Sequence, residues 1–92
     1  MKSAHVIRCD GTEERTAVAN IRELRALVSA DCFDGVDLRD GRVMMVDDTG
    51  LVDGKPLNPK ATALYHSVCK PGTTHPIAGD VVIIIDREWG GA

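Results

Sequence analysis

Apolar and polar residues change their spacing several times along the chain, and each change marks an element. "AHVIRC" (Ala4–Cys9) is a short apolar-rich run that stops at Asp10-Gly11, a dipeptide favoured in tight hairpin turns. "ERTAVA" (Glu14–Ala19) can pair back on it as a second strand. The period then becomes helical: Ile21, Leu24, Leu27 and Val28 share one face of a helix over Asn20–Ala30. Asn20 stands ready as N-cap, with Glu23 three residues on, close to a capping-box arrangement. Val36 and Leu38 alternate with Asp37 and Arg39, and Asp40-Gly41 turns the chain into the return strand "RVMMVD" (Arg42–Asp47). Ala61, Leu64, Tyr65 and Val68 predict a second helix over Asn58–Lys70, capped by Asn58, started by Pro59 and stopped at Pro71-Gly72. "VVIII" (Val81–Ile85) has no polar alternation, the mark of a central strand buried on both faces.

The predicted order is ββαββαβ. It implies an α+β fold, a mainly antiparallel sheet of about five strands with both helices packed on one face. A single α+β domain is expected over 1–88, with 89–92 as a tail.

Composition narrows the functional classes. A chain of 92 residues forms one domain that buries roughly 60–65% of the surface its unfolded form exposes, enough for a modest core. Phe33, Tyr65 and Trp89 are its only aromatic residues, so that core is aliphatic. A net charge of -3 speaks against a dedicated nucleic-acid binder and is too mild for a DNA mimic. No apolar run reaches membrane-span length, and the first residues lack the apolar stretch of a signal peptide, so a cytoplasmic location is expected. Cys9, Cys32 and Cys69 are then expected as reduced thiols.

Candidate chemistry is sparse. His66 and Cys69, three apart on one helix face, with His75 in the next loop, are weak zinc candidates. No CxxC pair accompanies them, and a half-exposed His with a small Cys near a helix end accounts for the same residues. The seven aspartates between Asp31 and Asp53 lack the ligand spacing and terminal Glu of an EF-hand, and read as turns and a solvated strand face. Cys69 with His66, or Ser67 with a nearby His, could form a dyad, but there is no G-x-S-x-G or Walker-type loop. No cofactor, metal or catalytic residue is therefore assigned. The ligand-binding candidates are Lys55, Asn58, Lys60 and Tyr65, around a helix start whose N–H groups from Asn58 to Ala61 could accept an anion. Read structurally, the same stretch has Asn58 as cap and Leu57 as core anchor, leaving only Lys55 and Lys60 without a structural task.

"GRVMMVDDTGLVDGKPLNPKATALY" followed by "IAGDVVII" resembles a small family of phages, actinobacteria and mobile elements, known as a domain of unknown function. The resemblance rests on Asp48–Gly50, on Pro56-Leu57-Asn58 before Ala61, and on Ile77, Gly79 and Asp80 ahead of the apolar strand. The family often has a Gly-Gly-aromatic segment after its first helix, where this chain has Ala30-Asp31-Cys32-Phe33. The resemblance implies a phage or mobile-element accessory protein and carries over no site.

The expectation that results is a small non-enzymatic binding or interaction module, taking a protein partner or self-associating through a sheet edge or the loop before the second helix. The alternatives are a protein that sequesters a small ligand such as a nucleotide signal, and a metal- or Cys-dependent enzyme using His66, Cys69 and His75.

Overall fold

The computed structural model describes residues 1–30, 32–69, 72 and 74–89. Five strands form one antiparallel sheet: β1 (Lys2–Ile7), β2 (Glu13–Val18), β3 (Phe33–Asp37), β4 (Arg42–Asp47) and β5 (Val81–Ile85). Helix α1 (Ile21–Val28) joins β2 to β3, and α2 (Pro59–Val68) joins β4 to β5. The ββαββαβ order expected from the sequence is the order found, and the fold is α+β. No helix among the described residues is long and apolar enough to cross a membrane.

The sheet order is β2-β1-β5-β4-β3. Each hairpin is a local product of its turn. Gly11 takes φ +91° between Arg8 and Thr12, whose N–H···O bond of 2.9 Å closes the first turn, while Asp10 holds the Thr12 amide and hydroxyl. The second hairpin turns at Arg39 and Gly41, both at positive φ. The two hairpins do not touch through their own strands. The last strand, β5, fills the gap between them, pairing with β1 (Val6 opposite Val82) and with β4 (Met44 opposite Ile83).

The helices lie on opposite faces of the sheet, which corrects the one-face expectation. Leu24 and Val28 of α1 pack on Ala4, Val6, Val82 and Ile84. Ala61 of α2 packs on Ile7, Met44, Val81 and Ile83. The alternation within β5 assigns Val82 and Ile84 to one layer and Val81 and Ile83 to the other. A strand apolar on both faces demands cover on both, so "VVIII" already required a three-layer arrangement.

Both helices start as their sequences imply. The Asn20 side chain accepts from the Glu23 amide, and the Glu23 carboxylate reaches back to the Ala19 amide, which makes the capping box reciprocal. Asn58 caps α2, with Pro59 at its first position. Two residues depart from expectation: Ile21 of the first stripe is exposed at the first position of α1, and Leu57, expected as a core anchor, is 55% exposed rather than buried. The expected stop at Lys70 and Pro71 lies outside the described residues. Asp86–Trp89 form a 3-10 turn, and Trp89 packs against the α1 layer with Lys2 over its ring at 5.2 Å.

Candidate functional site

The β4–α2 loop, the segment before β5 and the free edge of β3 come together around one cleft. The loop owes its shape to a dense set of bonds. Thr49 donates its backbone N–H to the Asp47 carboxylate at 3.1 Å, and Asp53, Gly54 and Lys55 donate theirs to carbonyls of Thr49, Leu51 and Gly50. The Thr49 hydroxyl also meets Asp53 at 2.9 Å.

Lys55 has the structural task that its sequence position concealed. Its ammonium donates to the Ser29 carbonyl at the C-terminal end of α1 at 2.9 Å and forms an ion pair with Asp47, whose side chain is only 2% exposed. A cation there also suits the negative end of the helix. Burial pushes the Asp47 carboxyl up, but the bonds from Lys55 and Thr49 outweigh it, so this acid titrates below the usual carboxylate range. Lys55 thereby ties the loop to both α1 and β4.

Asn58 is fully buried and satisfied on every side. Its amide nitrogen donates to the Ile7 carbonyl at 3.0 Å and the Gly79 carbonyl at 3.1 Å, its side-chain oxygen accepts from the Ala61 amide, and its backbone N–H reaches the Ile77 carbonyl at 2.8 Å. With Gly79 donating to the Pro56 carbonyl at 2.7 Å, residues 56–58 and 77–79 form a short antiparallel crossing. Asp80 continues it by accepting from the Cys9 amide and the Arg8 guanidinium, each at 2.9 Å. The "PLN" and "IAGD" stretches are thus two halves of one hydrogen-bonded lock. Of the N–H groups expected to accept an anion at Asn58–Ala61, those of Asn58 and Ala61 are spent internally and Pro59 has none, which leaves that of Lys60.

Gly50 belongs to the same lock. A Cβ there would stand 2.8 Å from the Ala78 carbonyl oxygen, a backbone atom that cannot swing aside. Gly50→Ala is expected to cost about 2 kcal/mol through overpacking, read as a lower denaturation midpoint with an unchanged urea m-value.

Beside the lock lies a cleft of about 130 Å³, bordered by Asp34 and Val36 of β3, Asp48 and Leu51 of the loop, Tyr65 of α2, and His75. Tyr65 and His75, separated by ten positions in sequence, therefore share one concavity. His66 does not border it; its Nε2 donates to the His75 carbonyl at 2.8 Å. The Tyr65 phenol is pushed up by the neighbouring Cys69 thiol. His66, Cys69 and His75 do not converge, and no cluster of three or more His, Cys, Asp or Glu among the described residues could hold a metal ion. Lys60 lies away from the cleft, bonded at 2.7 Å to both the Gly11 carbonyl and Glu13. The four ligand-binding candidates are accordingly dispersed: Asn58 and Lys55 in the lock, Lys60 on α2 with its side chain bonded to the first hairpin, and Tyr65 in the cleft.

Sequence reading missed the apolar display on the loop. Val52 is 89% exposed, and Leu51 and Leu57 are also exposed, on a segment whose backbone is held from several sides. The signal was present in "GLVDGKPL", where Leu51 and Val52 fall in a Gly-Asp turn with no strand or helix to bury them.

No curated protein and no solved structure matches the chain. A family described as "Domain of unknown function (DUF3846)" matches residues 1–91. With nearly its whole length accounted for by that match, the chain belongs to the DUF3846 family.

Proposed function

We propose that this protein is a small non-enzymatic interaction module that receives a protein partner at the corner made by the β4–α2 loop and the free edge of β3. In the setting implied by the sequence resemblance, it would serve as a phage or mobile-element accessory protein. The observation that carries the reading is the exposure of Leu51, Val52 and Leu57 on a hydrogen-bonded loop. Apolar groups displayed on one exposed loop offer area to a partner, and a pre-organised loop loses little entropy on binding. The test is co-purification from the native host with tagged wild type, Val52→Asp and a control substitution on α1, Arg22→Glu. A stoichiometric partner lost with Val52→Asp and kept with Arg22→Glu is the expected result, with all three proteins melting within a few degrees of one another. A monomer by native mass measurement that retains no stoichiometric protein defeats the reading.

A second reading has its own observation. On the α2 side of the sheet, along one flank of the helix, His5, Arg42 and Lys60 border a groove of about 440 Å³ floored by Ile83, and Arg15 and Ile85 border its continuation. Glu13 and Asp40 balance part of that charge through His5, Lys60 and Arg42. An apolar floor with cationic walls suits a small anionic ligand such as a nucleotide. Melting temperature is then expected to rise with nucleotide concentration; a flat response across a nucleotide panel removes this reading.

A further inference from the structure

We infer that the free edge of β3 takes up an extended segment of a partner protein as a sixth strand, and that the segment alternates apolar residues with lysine or arginine. The inference deepens the interaction-module reading and rests on it. Two bonds fix the phase of the β3–β4 ladder: Asp48 N–H to the Cys32 carbonyl and Leu38 N–H to the Arg42 carbonyl, both 3.0 Å. Hydrogen-bonded and non-bonded pairs alternate in an antiparallel ladder, so Asp34 and Val36 bond to β4. Phe33, Gly35 and Asp37 therefore turn their N–H and C=O groups outward, where β3 ends the sheet. Such an edge is normally guarded by shortness, charged side chains, proline or a bulge. β3 has five residues and carries the acids Asp34 and Asp37, but no lysine, proline or bulge interrupts its register from Phe33 to Asp37.

The side chains on the two faces state what the added strand should carry. On the α1 side, Val43 and Met45 pack on the core but Gly35 gives them no β3 side chain alongside; a Cβ at Gly35 would lie 3.3 Å from Val43 and 3.8 Å from Met45. Both are half-buried, and an apolar residue placed opposite Gly35 would cover them. On the α2 side, the next residue of the added strand faces Asp34 and the mouth of the cleft, where Asp48 also stands and where no lysine or arginine contributes to the lining. That position calls for a cation, and main-chain bonds supply the rest of the affinity. The same charges argue against a second copy as occupant, because pairing two β3 edges would gather Asp34, Asp37 and Asp48 of both molecules.

The probe is a library of random seven-residue peptides displayed on particles and selected against the full chain. Selected peptides are expected to alternate Val, Ile or aromatic residues with Lys or Arg. A synthetic peptide of the selected sequence should slow amide exchange at Phe33, Gly35 and Asp37, the amides that are free in the unliganded protein. Gly35→Pro removes the outward N–H while leaving the bonds to β4 in place, and should weaken binding at least tenfold. Should that substitution unfold the protein, the exposed Asp34→Lys carries the test with the same expected loss. The inference is overturned by no enrichment, by acidic or non-alternating winners, by binding indifferent to Asp34→Lys, or by association of the wild type with itself through β3. Peptide binding lost in Val52→Asp but kept in Asp34→Lys would refute strand addition and leave the interaction module standing.

Discussion

Asn58→Ala is expected to lower the unfolding free energy by about 4 kcal/mol. The substitution removes a helix cap, typically worth about 1 kcal/mol. It also strands the Ile7 and Gly79 carbonyls in the interior, where an unsatisfied polar group costs roughly 1–3 kcal/mol. In a domain of this size the melting temperature should drop on the order of 20 °C. Asn58→Asp separates the two contributions. The aspartate keeps the acceptor for the Ala61 amide but sets a carboxylate against two carbonyl oxygens, so it should be at least as unstable at neutral pH and recover part of the loss in acid. A drop below about 1 kcal/mol for Asn58→Ala in urea denaturation would show that the lock is not what joins α2 to β1 and β5.

Lys55→Met is the second large effect, at about 3 kcal/mol, because it leaves the Asp47 carboxylate buried without its cation. The double variant Lys55→Met/Asp47→Asn should regain most of that loss, since it removes the stranded charge as well as its partner. The pH dependence carries a sign. In the wild type the Asp47 carboxyl is held below its ordinary value, so its contribution is fully present above the unfolded pKa of about 4 and is lost as pH falls through the folded value. In Lys55→Met, burial without the lysine raises the same carboxyl, so the ionised form is a liability that protonation relieves. The stability gap between the two proteins should therefore be widest near neutrality and close on acidification. A gap that stays constant to pH 3 would assign the loss to packing of the lysine stem.

What the sequence made legible was local. Asp10-Gly11, Asn20 with Glu23, and Asn58 with Pro59 fix turns and caps through neighbours within four positions, and the structure has each of them. The central place of Val81–Ile85 was also readable, because burial on both faces leaves a direct mark on composition. Where α1 crosses was not readable: its stripe of Leu24 and Val28 fits either face of a sheet equally well. The tasks of Lys55 and Lys60 were hidden for a related reason. A long cationic stem finds its acceptor at a distance, Ser29 for one and Gly11 for the other, and no spacing rule connects those positions. Leu57 misled in the opposite direction. Its apolar character suggested an anchor, yet its backbone bridges Ala78 and its side chain is left outside. The cleft joining Tyr65 to His75 depends on how the segment before β5 returns across the sheet, which only the assembled lock determines.

The strand that comes last in the chain sits in the middle of the sheet, and this sets a timetable for the molecule. During synthesis both hairpins can form early, since their contacts are short-range, but neither has its permanent neighbour until residues 81–85 have left the ribosome. At about 5–20 residues per second, the two half-covered hairpins wait roughly 2–8 s between the end of β4 and the end of β5 for one apolar strand. The closing step joins Lys2–Ile7 to Val81–Ile85, contacts of nearly maximal sequence separation, so refolding should be slower than for a helical protein of equal length. Shortening the chain by its β5 strand would leave no smaller folded version, only two hairpins without a common core.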